Sequence, residues 1–171
     1  RSEFLSQNSV SLTKYHPKWS LTGELTMGDE FYQTLFQTKK FTQLTLSSEI
    51  EATTVFSLEP LFEYKLAKDS SGKARIIRTY QTDFFLDQNH LLIRHEDADT
   101  ETTNELELGT WNELDNDKTI ALTLGLSKTR PRPGSSLDSL SVFSLSFKTR
   151  ERLSLVNYLE NYLTLNRYWD K

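Results

Sequence analysis

The sequence predicts a mainly β protein, folded as a single antiparallel β-barrel or strongly curved sheet of about eight or nine strands. The first observation is an alternation of apolar and polar residues that runs from residue 41 to residue 66. Period two is the spacing of a strand with one dry and one wet face. The second observation is that the same alternation returns in residues 74–86 and 119–127, with turn-forming segments between. Strands that keep one phase through successive turns are expected to curl around a common apolar interior.

Two segments near the start of the chain depart from period two. Residues 1–18 have no clear period, which predicts an N-terminal arm, and residues 1–4 are also what two adjacent cloning sites would encode. Residues 19–171 are then the single barrel domain. After a first strand at 19–27, Gly28-Asp29 precedes apolar residues at helical spacing up to about Lys39. A breaker and an N-cap before such a run predict a short helix after the first strand.

The C-terminal third carries three further local signals. Residues 128–136 are basic and proline-rich, which predicts a loop. The apolar positions change parity between Val142 and Phe143, as they do at a β-bulge. From Arg150 onward, apolar residues recur at the spacing of a C-terminal helix, although residues 163–169 also fit an extended segment.

Composition excludes several classes of function. The chain has 171 residues, enough for one domain with its own core. Its 20 basic and 24 acidic residues give a net charge of −4, so no overall positive field attracts nucleic acid. The absence of cysteine removes disulfides, thiol nucleophiles and thiolate metal sites.

The sequence also bears on the cellular location of the protein. No apolar run reaches the roughly 20 residues that a membrane-spanning helix needs. The N-terminus also lacks the apolar core of a signal peptide. We therefore expect a soluble, cytoplasmic protein without a membrane span, unless a signal has been cleaved.

The layout of the strands, with an early and a closing helix, resembles the calycin group of lipocalin-like and fatty-acid-binding-like barrels. The residues that carry the resemblance are the Glu-Leu-Gly-Thr-Trp of 107–111, the acidic turn and the strand at 120–126 that follow it, and the opening at 19–25. In lipocalins the Gly-x-Trp element lies in the first strand, whereas here it is central, so no binding residue of that family is carried over. The resemblance favours a non-catalytic protein that encloses a small hydrophobic or amphipathic ligand.

Arg78 is the most informative polar residue, because it shares the apolar face of its strand with Ile76 and Tyr80. A buried charge is costly unless it is paired, and an arginine beside a tyrosine is suited to holding a ligand carboxylate. The alternative is an arginine that extends to solvent or meets a structural acid. The predicted ligand-binding residues are Arg78, Tyr80, Tyr64, Phe31 and Phe36, of which the last two belong to the early helix and otherwise plug the barrel end. No particular cofactor is predicted.

The alternative function is that of a protein–protein interaction module within a larger complex. The Lys-Thr-Arg-Pro-Arg-Pro of 128–133 has the composition of an extended segment that docks on an acidic partner, and is otherwise a solvated loop. Aromatic residues of the closing helix form either an exposed binding face or packing against the sheet. The predicted partner-binding residues are Lys128, Arg130, Arg132, Tyr162 and Trp169.

A third alternative is a tunnel-type triphosphate hydrolase. Residues 49–51 and 105–107 both read Glu-x-Glu and resemble the E-x-E-x-K opening of such enzymes, but Thr53 stands in place of the lysine. His90 and His95 point to opposite faces of one strand and cannot share a metal. No Gly-x-Ser-x-Gly elbow is present. The sequence therefore predicts binding rather than catalysis, with no catalytic or metal-ligating residue.

Overall fold

The chain forms an all-β sheet of ten strands in the computed structural model, which describes residues 2–32, 37–68, 74–115, 118–134, 138–152 and 158–170. The strands are β1 (Ser2–His16), β2 (Trp19–Tyr32), β3 (Gln37–Glu51), β4 (Phe56–Lys68), β5 (Ala74–Leu86), β6 (Asn89–Ala98), β7 (Glu101–Asp115), β8 (Lys118–Pro131), β9 (Leu140–Arg152) and β10 (Tyr158–Asp170). The antiparallel β content predicted from the alternation is confirmed.

Each strand pairs antiparallel with the next along the chain, so the strand order in the sheet is the order in the sequence. In the described part of the chain β1 pairs only with β2, and β10 only with β9. The sheet is therefore open, and the closed barrel, the first of the two predicted forms, is wrong. Alternation determines which side chains share a face, but it does not bring the first strand to the last.

Neither predicted helix is present among the described residues. β2 continues to Tyr32 and pairs there with Gln37, the first residue of β3, while residues 33–36 lie outside the described part. Residues 158–170 form β10 and pair with β9 along their whole length. In both segments the apolar residues recur at i and i+4, a spacing that a helix face and a strand face share. Cross-strand pairing decides between them in favour of the strand.

The predicted N-terminal arm also belongs to the sheet. Residues 2–16 form β1 and pair with β2, with one irregularity between Phe4 and Ser6. With β1 and β10 included, the sheet has ten strands instead of eight or nine.

The C-terminal third differs from expectation in two smaller ways. β8 extends to Pro131, so residues 128–131 of the basic segment predicted as a loop are strand. The register between β8 and β9 is continuous, so no bulge separates Val142 from Phe143. The change of parity arises because these two residues lie on opposite faces, Val142 opposite Ser127 and Phe143 opposite Leu126.

The register sorts the side chains into two faces of opposite character. On the first, which we call the apolar face, Leu124 of β8 lies between Leu108 of β7 and Leu145 of β9. On the second, the polar face, its neighbour Thr123 lies between a glycine and a serine. The apolar face carries Val10, Leu12, Leu21, Leu25, Leu44, Leu46, Phe62, Phe84, Ile93, Leu106, Leu108, Leu122, Leu124, Leu126, Phe143, Leu145, Phe147, Leu163 and Leu165. The prediction that the alternation in residues 41–66, 74–86 and 119–127 places apolar side chains on one face is confirmed.

Candidate functional site

The apolar face is exposed. Leu122 and Leu124, at the centre of their strand, are each 40% exposed, and Leu108 on the neighbouring strand is 50% exposed. The accessible surface of the chain is 12119 Å². A folded monomer of this mass has about 8,700 Å². An apolar face that is exposed across neighbouring strands marks a binding or membrane surface.

The polar face is the more buried of the two. The most buried side chains among the described residues lie on it and are 2–5% exposed: Thr26, Phe41, Ala67, Thr79 and Ala98. On a flat single-layer sheet the two faces would be equally exposed, so this difference indicates a sheet that is concave on its polar side. The expectation of an apolar interior is therefore reversed, because the apolar residues lie on the convex side.

The apolar band crosses the sheet obliquely. The row of directly opposed residues that begins at Leu12 on β1 passes through each strand and ends at Trp169 on β10. The leucines of β10, however, are Leu163 and Leu165, which lie nearer the connection between β9 and β10. When strands are tilted, an apolar band that keeps a constant height across the sheet must shift along each successive strand in this way.

A basic border limits the apolar face at the end of the strands where β6 meets β7. Arg78 lies opposite Asp97, with 3.2 Å between its Nη1 and the Oδ2 of Asp97. Arg132 donates a second hydrogen bond to Asp97. Lys128 and Arg130 of β8 lie on the same face at this end.

The border also contains amphipathic aromatic rings. Tyr64 lies directly opposite Arg78, and Tyr80 packs at 5.2 Å from the ring of Phe62. Trp169 occupies the row of Lys128, separated from it by the serine of β9. We use "basic border" for the set Tyr64, Arg78, Tyr80, Asp97, Lys128, Arg130, Arg132 and Trp169.

Charged side chains of both signs form pairs along one strand and across neighbouring strands on the polar face. Arg94 of β6 lies 3.0 Å from a carboxylate oxygen of Glu96 and 3.7 Å from one of Glu105 on β7. Further along, Glu160 of β10 accepts contacts from Lys148 at 3.2 Å and Arg150 at 3.4 Å on β9. A concave surface lined by such pairs and by serine and threonine is hydrated and has little affinity for apolar molecules.

Glu63 of β4 is a further carboxylate on this polar surface. Gln43 of β3 donates a hydrogen bond of 2.9 Å to it.

The predicted ligand-binding residues are only partly brought together. Arg78, Tyr80 and Tyr64 are neighbours in the basic border, and Arg78 is paired with a structural acid and 44% exposed. Phe31 lies in β2, opposite Thr38, and not in a helix. Phe36 lies outside the described residues. The apolar enclosure that these five residues were expected to line is therefore not formed by them.

The predicted partner-binding residues divide between the two faces. Lys128, Arg130, Arg132 and Trp169 belong to the basic border. Tyr162 lies on the polar face, near Ser146 of β9, with its side chain mostly exposed. Sequence reasoning did not connect the first four with Arg78, because strand register is needed to align them.

The charged pairs of the polar face are predicted from the sequence only in part: the Glu-x-Glu of residues 105–107 is recognisable, but the partner of Glu105 is not. Arg94, Glu63 and Glu105 come from three strands and meet only through the register. The available signal was weak: charges of both signs at every second residue of consecutive strands. Asp97, which anchors the basic border, lies in the acidic stretch after residue 95 that reads as a solvated bend.

Comparison with protein-family models, curated proteins and solved structures finds no match. The calycin resemblance thus stays a prediction. Within the described ranges, no helix is long and apolar enough to cross a membrane. In the same part of the chain, no group of three or more His, Asp or Glu side chains is arranged to hold a metal ion.

Proposed function

We propose that this chain is a membrane-embedded β-sheet whose apolar face contacts lipid hydrocarbon and whose polar face lines an aqueous passage. The observation that carries the proposal is the reversed polarity of the curved sheet. The leucines of the convex side are exposed, whereas the most buried side chains lie on the charged concave side. A protein surrounded by water buries its apolar side chains, and one surrounded by lipid presents them.

The dimensions of the sheet support this proposal. Its strands contain 10 to 15 residues, longer than the five or six residues that are typical of strands in globular proteins. A tilted strand needs about 9 to 11 residues to cross the hydrocarbon of a bilayer. The oblique course of the apolar band matches strands that tilt while the band stays parallel to the membrane.

The basic border supports it as well. Tyrosine and tryptophan are enriched where hydrocarbon meets headgroups, and arginine and lysine extend their charges to that level. Trp169 and Tyr80 lie in the border beside Lys128 and Arg78 in this way. Asp97 is paired with two arginines, as an acid near hydrocarbon must be.

A second protein layer is the other way to cover an apolar face. Two sheets that pack face to face form a core in which the side chains of both inner faces interdigitate. Here the apolar face is convex, so two copies placed face to face would touch only along a narrow strip. A fluid hydrocarbon follows a convex surface without gaps, which favours lipid.

This proposal differs from the functions and the location predicted from the sequence. The cytoplasmic prediction used the length of continuous apolar runs, which detects only helices. Enclosure of a ligand, the interaction module and the triphosphate hydrolase stay predictions. Enclosure would require a cover over the apolar face that the described residues do not provide.

The native tryptophans give the experiment that tests the proposal. Trp111 on the polar face and Trp169 on the apolar face are 44% and 42% exposed, so they form a matched pair. We expect 6,7-dibrominated phosphatidylcholine vesicles to quench the fluorescence of a variant that keeps only Trp169, because bromine quenches on contact. A variant that keeps only Trp111 should be quenched little. Equal quenching of both variants, or of neither, would contradict the proposal.

A further inference from the structure

The two edge strands of the sheet are long and unprotected. β1 has 15 residues and β10 has 13, and each leaves one row of backbone N–H and C=O groups unpaired among the described residues. Neither strand contains proline, and together they contain only one lysine, Lys14. Edges of monomeric sheets usually carry such residues because they block pairing with another chain. These edges are therefore built to accept a further strand.

The direction of the edge strands allows the two different edges of two copies to pair. Ten strands in strict antiparallel order leave β1 and β10 running in opposite directions. A second copy that places its β10 beside β1 continues the antiparallel order with both apolar faces on the same side. We propose that β1 of one copy of this chain pairs with β10 of a second copy.

The side-chain pattern sets the register of this contact. The apolar face carries Val10 and Leu12 on β1, and Leu163 and Leu165 on β10. The apolar band continues across the contact when Leu12 lies opposite Leu163. On the polar face Ser11 then lies opposite Thr164. Side chains that lie directly opposite each other on neighbouring strands contribute most to strand pairing.

The charged residues of the two edges agree with this register. Lys14 falls opposite Asn161, and Arg167 falls opposite Asn8, so no like charges meet. The inference rests on the edges and holds for a sheet in detergent or in lipid. The proposed membrane location adds a reason for the edge strands to pair, since unpaired backbone groups are not tolerated in hydrocarbon.

Disulfide cross-linking tests the pairing, because the chain has no cysteine of its own. Ser11→Cys protein is mixed with Thr164→Cys protein in dodecyl maltoside, which requires no insertion into a bilayer, and oxidised. Opposed cysteines in paired strands lie within disulfide distance. We expect the mixture to form a covalent dimer of twice the 19.9 kDa chain mass, and each variant alone to stay monomeric.

Two controls distinguish pairing between two copies from other sources of disulfide formation. Leu165→Cys replaces Thr164→Cys in a second mixture, and we expect no dimer there because the two cysteines point to opposite faces. The double variant Ser11→Cys/Thr164→Cys should form intermolecular species. An internally closed monomer would overturn the inference in favour of contact between the edges of one chain. A dimer from Ser11→Cys alone, or no disulfide in any sample, would also overturn it.

Discussion

Leu124→Arg is expected to lower the free energy of unfolding of the sheet in phosphatidylcholine vesicles by about 2–4 kcal/mol, the cost of an arginine on a lipid-facing strand near the bilayer centre. Leu124 lies in the middle of the apolar band, between Leu108 and Leu145. An arginine there has no described acid opposite it, and the border where its charge would reach water is several residues away. Urea titration of vesicle-inserted protein measures the change.

Thr123→Arg is the matched control for this substitution. Thr123 precedes Leu124 in β8 but lies on the polar face, between Gly109 and Ser146. An arginine there faces water and neighbouring charges, so we expect a loss below about 0.5 kcal/mol. Equal losses for both variants, or a larger loss for Thr123→Arg, would contradict the assignment of the two faces.

Arg94→Ala is expected to destabilise the sheet by about 1 kcal/mol at pH 7. The guanidinium of Arg94 contacts Glu96 and Glu105 and attracts Glu63. Its removal leaves these carboxylates to repel one another on a partly buried surface. The expected loss of stability is modest because the side chain of Arg94 is 39% exposed and water screens its attraction to the carboxylates.

The effect of Arg94→Ala should depend on pH with a definite sign. The contacts of Arg94 with Glu96 and Glu105 stabilise the sheet only while carboxylates are ionised. Carboxyl groups are ionised at pH 7 and become protonated as the pH falls toward 4. The difference between wild type and variant, measured by urea titration, should therefore be larger at pH 7 than at pH 4.

Arg167→Ala is the control for the pH series. Arg167 lies on β10 opposite Phe143 and two residues before Trp169 of the basic border, so its exposed side chain extends its charge to the level of that border; it has no ion pair within the described ranges. We expect its replacement to change stability little and without dependence on pH between 4 and 7. A pH dependence as large as that of Arg94→Ala would show that overall charge, and not the pairs of the polar face, is responsible.

The sequence predicts the strands of this sheet better than it predicts the orientation of its faces. Residues 41–66 identify which side chains share a face, because period two has only one structural meaning. The same pattern does not say which face is inside. Alternation predicts an interior position for Leu44 and Leu46 only if water surrounds the sheet, and in the structure both lie on the exposed convex side.

The helix errors have a related cause. The apolar residues near Phe31 and in residues 155–169 recur at i and i+4, which both a helix and one face of a strand allow. Only the pairing of Tyr32 with Gln37 and of Tyr158 with Arg152 distinguishes the two. Long-range pairing of this kind is not encoded in a local window.

The candidate site shows the same limit. Arg78 is recognisable in the sequence as a charge on an apolar face. Its partner Asp97 lies 19 residues further along the chain. Arg132, which also binds Asp97, lies 35 residues beyond Asp97. Only the strand register and the end of β8 bring the three side chains together. The basic border could therefore be recognised residue by residue but not as one feature.

Single cysteines placed in turn at each position from Ile120 to Leu126 of β8 test the central claim most directly. Each is labelled with an environment-sensitive fluorophore in vesicles and exposed separately to a spin-labelled lipid and to aqueous iodide. We predict strict alternation: quenching by the lipid at positions 120, 122, 124 and 126, and by iodide at 121, 123 and 125. Access of iodide to both sets, or quenching by the lipid at 121, 123 and 125, would contradict a sheet with one face in lipid and one in water.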